Sequence, residues 1–296
     1  MIYTVTLNPC VDCIMTFDAL EPGALNRAKT QELRFGGKGI NVSRVLAELG
    51  IPSVALGFVG GFTGNAIAAS LKGTLVTPDF VALRGGFSRV NVKVITPGGE
   101  TELNAPGPQI EADELDALFA KLDALGEGDT LVLSGSAPSS LPDGVFAKLA
   151  AKADERGARF AADIPGAALA ACLPYKPLLV KPNRRELEEL FGAGADTETS
   201  ARKLREAGAR NVLVSLGADG AMLIDEDGTR RDAPALRREV VNTVGAGDSM
   251  VAGFLAGYAR GGEYALRLAS ACAAAAVSST GLAIRETRDE IMNTEN

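Results

Sequence analysis

The most informative absence in this 296-residue chain is histidine, which does not occur at all. Without an imidazole, the chain cannot build a Ser-His-Asp or Cys-His catalytic group, nor the His-Glu-x-x-His zinc site of metalloproteases. If the protein is an enzyme, proton transfer therefore falls to Asp, Glu, Lys, Tyr or Cys side chains.

Cysteine is almost as scarce, with four residues in the whole sequence. Cys10 and Cys13 form a single Cys-x-x-Cys pair, but a structural zinc site needs a second pair or histidines. Pro9 precedes the pair, whereas a redox pair typically opens a helix after a strand. We therefore expect reduced thiols without a metal or redox role at Cys10, Cys13, Cys172 and Cys272.

Basic residues and long apolar runs are also in short supply. The 30 Lys and Arg residues are outnumbered by 37 Asp and Glu residues, which gives a formal net charge of −7. General binding to a phosphate backbone needs a basic surface, so we expect no nucleic-acid partner, although a local basic pocket for a small anion stays open. The longest weakly polar run, at 268–284, is too short to span a bilayer, and the first residues lack a signal-sequence pattern. We expect a cytoplasmic protein with no membrane partner.

Short apolar runs alternate with helical patterns along most of the chain. The runs predict strands at 2–7, 53–59, 130–134, 159–162, 178–181 and 211–215, and the spacing predicts helices at 40–49, 112–125, 143–156, 184–191, 201–207, 246–260 and 263–277. Such alternation predicts an α/β fold with a mostly parallel central sheet and helices on both faces. Two stretches, at about 10–35 and 80–104, lack helical periodicity, and we expect them to form a small antiparallel sheet that covers the site as a lid.

The segment Asn242-Thr243-Val244-Gly245-Ala246-Gly247-Asp248 leads directly into a predicted helix. Backbone N–H groups are free at a helix N-terminus and the helix dipole adds positive charge, so the segment is suited to an anion. An Asp in the first turn often only caps the helix. Because capping does not account for the Gly-Ala-Gly sequence, we favour a catalytic role for Asp248, with Gly245, Ala246 and Gly247 forming the anion site.

Three other segments place glycines or polar groups beside a predicted strand or helix end. Gly36-Gly37-Lys38-Gly39-Ile40-Asn41 opens a helix but is neither a dinucleotide fingerprint nor a P-loop, and a tight loop with a helix cap is an equally simple explanation. Asn183 and Glu186 either organise a hydrated Mg²⁺ or cap a helix as a pair. The segment from Ser215 to Gly220 ends a strand in a glycine loop, where open α/β sheets bind ligands.

Taken in their order along the chain, from Gly36–Asn41 to Asn242–Asp248, the four segments resemble the signatures of the PfkB, or ribokinase-like, carbohydrate kinase family. The likeness extends over essentially the whole chain, so residues 1–296 are expected to form one kinase domain with the lid strands inserted. Leu7-Asn8-Pro9, Arg89-Val90-Asn91-Val92-Lys93 and Pro106-Gly107-Pro108 are similar to the branch that contains 1-phosphofructokinase and tagatose-6-phosphate kinase.

The resemblance implies a ribokinase-like fold and phosphoryl transfer from ATP, with Mg²⁺, to a sugar hydroxyl. It makes Asp248 the general base, with the N–H groups of Ala246, Gly247 and Asp248 holding the transferring group. The implied substrate-binding residues are Asp12 and Asn41 for sugar hydroxyls, Gly37 beside them, and Lys38, Arg89 and Arg27 for the sugar's phosphate. The implied ATP-binding residues are Lys181, Asn183, Ser215, Gly217 and Gly220, and Asn183 with Glu186 would organise the metal through water.

The resemblance favours fructose 1-phosphate as the substrate and fructose 1,6-bisphosphate as the product. Tagatose-6-phosphate kinase and a 6-phosphofructokinase of the same family stay open, because a ketohexose ring carries a hydroxymethyl arm at each end. A pocket that grips phosphate on one arm presents the other arm to Asp248. A non-catalytic sugar-phosphate sensor is the alternative of a different class, against which the intact Gly-Ala-Gly-Asp segment argues. The resemblance also implies a homodimer formed through the lid.

Overall fold

The computed structural model describes residues 1–236 and 244–279, together with residues 282, 285, 288, 289 and 292. Asn242 and Thr243 of the glycine-rich segment lie outside the described residues. The strands are β1 (Ile2–Thr6), β2 (Cys10–Thr16), β3 (Thr30–Gly36), β4 (Ser53–Val59), β5 (Val76–Pro78), β6 (Val81–Ala82), β7 (Arg89–Thr96), β8 (Gly99–Leu103), β9 (Thr130–Ser134), β10 (Arg159–Asp163), β11 (Leu179–Val180), β12 (Asn211–Ser215), β13 (Ala221–Ile224) and β14 (Arg230–Ala233). The α-helices are α1 (Lys38–Glu48), α2 (Gly61–Ala69), α3 (Ala112–Lys121), α4 (Val145–Glu155), α5 (Gly166–Cys172), α6 (Arg184–Phe191), α7 (Thr197–Glu206), α8 (Ala246–Gly257) and α9 (Gly262–Val277). None of the helices in the described part of the chain combines the length and apolarity needed to cross a membrane.

The larger sheet has the spatial order β14-β13-β12-β11-β10-β9-β1-β4-β5, and β6 also pairs with β4. From β12 to β5, neighbouring strands are parallel. The hairpin of β13 and β14 continues the sheet in the antiparallel direction. The predicted α/β fold with a mostly parallel central sheet is therefore confirmed.

Helices cover both faces of this sheet, as predicted. Successive side chains of a strand point to opposite faces, and β9 follows this rule: Leu131 and Leu133 pack in the cluster that contains residues of α3 to α7, whereas Val132 packs with α1, α8 and α9. All three side chains are fully buried. Burial on both faces explains why the central strands are continuous apolar runs rather than alternating ones.

The smaller sheet has the order β3-β2-β7-β8 and is called the lid here. The pairs β2–β3 and β7–β8 are antiparallel, but β2 and β7 are parallel, with Cys10 opposite Arg89. The prediction of an antiparallel sheet was wrong for this central pair, because two separate hairpins start side by side at these residues and run in the same direction. Residues 81–82, which fall in the predicted lid stretch, pair with β4 of the larger sheet instead.

The start of α1 is packed tightly against the end of β1. A Cβ atom on either Gly37 or Gly39 would lie 2.6 Å from a side-chain atom of Thr6. The Thr6 hydroxyl accepts a hydrogen bond of 3.0 Å from the backbone N–H of Ile40, and so caps a helix whose own N-cap, Gly37, has no side chain. This close approach fixes Lys38 and the next turn of α1 relative to the strand ends.

Candidate active site

A cleft of about 510 Å³ lies between the lid and the carboxyl ends of the parallel strands. Twelve of the predicted site residues line it, namely Asp12, Gly37, Lys38, Asn41, Arg89, Lys181, Asn183, Glu186, Ser215, Gly245, Gly247 and Asp248. They come from the lid, from the ends of β11 and β12, and from the first turns of α1, α6 and α8. Distant parts of the sequence meet here because parallel strands end at one edge of a sheet, where open α/β sheets bind ligands. A larger cavity of about 770 Å³ shares Asp12, Gly37 and Asn41 with the cleft.

Asp248 lies in the first turn of α8 and is only 4% exposed. Its Oδ2 atom accepts a hydrogen bond of 2.8 Å from Asn41 Nδ2. Burial raises the pKa of Asp248 to about 6, and the negative charge of Asp163 adds to the rise, while Asn41 and the ammonium groups of Lys38 and Lys181 oppose it. The carboxylate is therefore a stronger base than an ordinary Asp and is still ionised at neutral pH.

The first turn of α8 presents backbone donors beside this carboxylate. Gly245 precedes the helix with a left-handed φ of 81°, and a helical hydrogen bond runs from the Ser249 N–H to the Gly245 carbonyl at 2.9 Å. The N–H groups of Ala246, Gly247 and Asp248 come before this bond, at the positive end of the helix dipole. An anion at this turn would meet both these donors and the dipole.

Two lysines reach the floor of the cleft and share one buried carboxylate. Lys38 Nζ lies 3.3 Å from Asp163 Oδ2, and Lys181 Nζ lies 3.3 Å from Asp163 Oδ1. Burial alone would raise the pKa of Asp163, but the two ammonium groups outweigh it and hold that pKa below its ordinary value. Asp163 was not among the predicted site residues, although it follows the predicted strand 159–162 just as Lys181 ends the next one.

Asn183 and Glu186 form a reciprocal pair at the start of α6. The Glu186 N–H donates to Asn183 Oδ1 at 2.8 Å, and the Asn183 N–H donates to Glu186 Oε2 at 2.8 Å. This capping box is the alternative that the sequence left open, and both side chains nevertheless line the cleft. Among the described residues, no three Cys, Asp or Glu side chains gather to hold a metal. A Mg²⁺ ion here would keep water and phosphate ligands, as Mg²⁺ usually does, so the metal assignment stays a prediction.

The lid contributes a second set of polar groups. Asp12 Oδ1 accepts hydrogen bonds from Asn91 Nδ2 at 2.9 Å and from Cys10 Sγ at 3.3 Å. Burial, reinforced by Asp12, raises the pKa of the Cys10 thiol to about 12, so the thiol stays a neutral donor. Arg89 donates to the backbone carbonyls of Asn8 and Ala105, and no carboxylate of the described residues pairs with it. Its positive charge is therefore available to a ligand.

Four predicted site residues do not line the cleft. Arg27 is exposed in the loop between β2 and β3, and Gly217 faces open space with a φ of 63°. Gly220 has a φ of 95°, and a Cβ there would lie 2.1 Å from the Ala233 carbonyl oxygen, so the turn into β13 requires glycine. Ala246 is the first residue of α8 and would contribute only its backbone N–H. The ligand roles of all four stay predictions.

A buried carboxylate, a helix N-terminus and paired lysines meet at the carboxyl edge of the parallel sheet of this α/β protein, an arrangement suited to an anionic ligand. Comparison with known proteins gives the particular family. The model of the pfkB family carbohydrate kinase matches residues 5–288. The chain therefore belongs to the pfkB family of carbohydrate kinases.

Three relatives illustrate the similarity. The chain is 44% identical over 264 residues to the 1-phosphofructokinase of Bacillus subtilis (strain 168), covering 88% of this chain and 86% of that protein. It is 37% identical over 289 residues to the D-tagatose-1-phosphate kinase of Bacillus licheniformis, covering 95% and 94%. The crystal structure of the phosphofructokinase-2 from Escherichia coli in complex with substrates and products has a TM-score of 0.90 at 29% identity, covering 99% of this chain and 98% of that one.

The raised pKa of Asp248 predicts that its carboxylate destabilises the fold at neutral and higher pH. The folded state binds the proton more tightly than the unfolded chain, so stability is lost as pH rises from about 4 through about 6. Asp248→Asn cannot ionise, and we expect it to be more stable than the wild type by about 3 kcal/mol at pH 8 and by about half as much at pH 5. Urea unfolding followed by circular dichroism measures the difference, since the chain has no Trp.

As a control, Asp113→Asn removes an exposed carboxylate away from the cleft, whose pKa is held below its ordinary value by its hydrogen bonds to Arg84. Because this carboxylate is favoured in the folded state, we expect the control variant to gain no stability. A variant Asp248→Asn that is equal to or less stable than the wild type at pH 8 would contradict the prediction.

Proposed function

We propose that this chain transfers the γ-phosphoryl group of ATP to the free hydroxymethyl group of a ketohexose monophosphate, and that fructose 1-phosphate is the preferred acceptor. The observation that carries the proposal is the buried Asp248 carboxylate at the N-terminus of α8, in a cleft of a pfkB family chain. The similarity to 1-phosphofructokinases at up to 44% identity supports the choice of substrate. Residues 1–296 would form one kinase domain that carries the lid.

In this mechanism Asp248 accepts the proton of the acceptor hydroxyl. The hydroxyl oxygen attacks the γ-phosphorus, the bond from that phosphorus to the bridging oxygen breaks, and ADP leaves with the electron pair. A base with a pKa of about 6 suits this step, because it is ionised at neutral pH and yet takes up a proton more readily than an ordinary Asp. Asn41 holds the carboxylate in one orientation through its 2.8 Å hydrogen bond.

The transferring group gathers negative charge, and the first turn of α8 is suited to stabilise it. The N–H groups of Ala246, Gly247 and Asp248 would point to its oxygens. Lys181 packs against this turn, because a Cβ on Gly247 would lie only 3.2 Å from its Nζ atom. Lys38, at the start of α1, pairs with the other oxygen of Asp163. Most of the catalysis is therefore positioning and charge stabilisation.

The nucleotide would lie along the ends of β11 and β12. Lys181 and Asn183 would face its phosphates, with Ser215, Gly217 and Gly220 beside the rest of the molecule. Glu186 would hold Mg²⁺ through water together with Asn183, since one carboxylate and an amide fit an ion that keeps most of its water shell. When bound, the ion neutralises phosphate charge.

The sugar phosphate would lie between α1 and the lid. Asp12 has one carboxylate oxygen that accepts bonds from Asn91 and Cys10, so the other is available for a sugar hydroxyl. Arg89 and Lys38 would bind the phosphate already on the sugar, with Arg27 as a further candidate. Tagatose 1-phosphate is a specific rival, because a D-tagatose-1-phosphate kinase is 37% identical to this chain. Tagatose 6-phosphate and fructose 6-phosphate are also rival substrates, because a ketohexose ring carries a hydroxymethyl arm at each end and either arm can hold the phosphate.

The substrate is tested by ADP release from MgATP with each of these four sugar phosphates at sub-saturating concentration. We expect kcat/KM for fructose 1-phosphate to exceed that of the others by about a hundredfold, the range that a pocket reading hydroxyl positions can reach. A preference for tagatose 6-phosphate or fructose 6-phosphate would assign the chain to those reactions instead. No turnover with any of them would contradict the kinase proposal and favour a sugar-phosphate sensor.

The base is tested by Asp248→Asn at pH 7.5. Loss of a general base costs about 10² to 10⁴ in rate, so we expect kcat to fall by that amount while sugar phosphate and MgATP still bind in calorimetric titrations. In the wild type we expect the rate to fall as pH drops through about 6, where Asp248 becomes protonated. Asp225→Asn, which removes a buried carboxylate that pairs with Arg231 away from the cleft, is the matched control and keeps wild-type turnover. Unchanged kcat in Asp248→Asn would exclude Asp248 as the base.

We also propose a homodimer formed through the lid. The strands β3 and β8 are the two edges of the lid sheet, and Leu33 on β3 and Leu103 on β8 are 50% and 57% exposed. Edge strands with exposed apolar residues are suited to pair with another chain. Sedimentation velocity should give twice the chain mass of 30.6 kDa, and the double substitution Leu33→Lys and Leu103→Lys should give the monomer. A monomeric wild type at micromolar concentration would refute the dimer.

A further inference from the structure

One carboxylate at the end of β10 joins three separate elements beneath the cleft. Asp163 is 3% exposed, and its two oxygens take two different ammonium groups, each at 3.3 Å. Lys38 comes from the first turn of α1 and Lys181 from the residue after β11. A buried carboxylate that bridges two cations is strongly held, because removal of one partner leaves an uncompensated buried charge.

In the part of the chain that the structure describes, the same two lysines form no ion pair with Asp248, the other buried carboxylate of this pair. Among the described residues, both ion pairs of Lys38 and Lys181 run to Asp163, while the Asp248 carboxylate bonds to Asn41. The charged groups that act on Asp248 are Asp163 on β10, Lys38 on α1 and Lys181 after β11. Asp248 is thus stabilised by two positive charges through space, without either ammonium group occupying its oxygens.

We propose that Asp163 is a positioning residue that holds Lys38 and Lys181 toward the phosphates and keeps both from pairing with Asp248. The inference rests on the proposed function, in which Asp248 must accept a proton from a hydroxyl. An ammonium group bonded to Asp248 would block the lone pair that takes this proton and would lower its basicity. Asp163 therefore acts on the reaction through the two lysines.

The lengths of the two ion pairs suit this role. Both are longer than the 2.7–2.9 Å that is usual for charge-assisted bonds, so an incoming phosphate oxygen competes with Asp163 for each ammonium group. Lys38 is 45% exposed to the cleft, whereas Lys181 is 5% exposed and packs against Gly247 at the start of α8. One lysine thus faces the open cleft and the other faces the helix turn where the transferring group would lie.

The first test is the isosteric variant Asp163→Asn, with Asp225→Asn as the matched control. Without the charge of Asp163 the two lysines still act on the Asp248 carboxylate, so the acid limb of the kcat/KM profile should move to lower pH by roughly one unit. We expect kcat at pH 7.5 to fall about tenfold and KM to rise for both MgATP and the sugar phosphate. The ionisation of the sugar phosphate is the same for every variant, so a difference in the limb reports the enzyme.

The second test needs no turnover. At pH 8 we expect the Asp248→Asn variant to be more stable to unfolding than the wild type, because the buried carboxylate has a raised pKa. In the Asp163→Asn background the lysines pair with Asp248, so the same substitution should now destabilise the protein in this double-mutant cycle, measured by urea unfolding. Loss of the Asp163 charge alone would lower the pKa of Asp248 and reduce the gain without reversing its sign. Only a reversed sign therefore supports the proposed role.

The outcomes separate the two proposals. A wild type with no turnover on any sugar phosphate ends the proposed function, while the double-mutant cycle still decides whether Asp163 keeps the lysines from Asp248. If Asp248→Asn still stabilises the Asp163→Asn background, the role of Asp163 is overturned, even if the kinase reaction is established. If Asp163→Asn does not fold, Asp163→Ser leaves room for a water between the ammonium groups and carries the same expectations.

Discussion

The burial of the Asp248 carboxylate is the constraint on which the other parts of the cleft depend. A carboxylate removed from water costs free energy, which appears here as a pKa of about 6. Asn41 offsets part of that cost through a direct hydrogen bond, and the two ammonium groups on Asp163 offset another part through space. These groups must stand at fixed distances from the base. The start of α1 and the ends of β10 and β11 therefore have to meet the first turn of α8 at one point.

Fixed distances between charged groups require backbones that approach closely, and the glycines of the cleft make this approach sterically feasible. Gly37 and Gly39 let α1 begin directly against Thr6 of β1, where any side chain would collide. Gly247 leaves room for the Lys181 ammonium group beside α8, and Gly245 takes the left-handed conformation that opens the helix. Packing alone therefore accounts for most of these glycines. Their contribution to ligand binding follows from the positions that the packing fixes.

Sequence reasoning found the parts of this site that depend on local order along the chain. Ser215 could be predicted because residues that end parallel strands meet at one edge of the sheet, whereas Lys181 was inferred from the resemblance to the carbohydrate kinase family. Asp163 stands in an equivalent place, but its importance comes from two lysines on other elements, which no local pattern shows. The parallel pairing of β2 and β7 likewise depends on the direction in which two distant hairpins leave the cleft. The hairpin of β13 and β14 was missed, although Asp227-Gly228 follows an apolar run and is a common turn sequence.

The protein as a whole is acidic, yet the base of its cleft carries as many positive as negative charges in the group formed by Lys38, Lys181, Asp163 and Asp248. In the proposed reaction, phosphate oxygens would share the two ammonium groups with Asp163, so neither Asp163 nor Lys181 is left as an unpaired buried charge when the ligand arrives. This sharing weakens ground-state binding compared with two unpaired lysines. The ammonium groups are already ordered, however, so little side-chain entropy is lost on binding. The ammonium groups would then bind the transferring phosphoryl group more strongly as negative charge moves onto it. Such an interaction lowers the activation barrier without stabilising the bound ground state to the same extent.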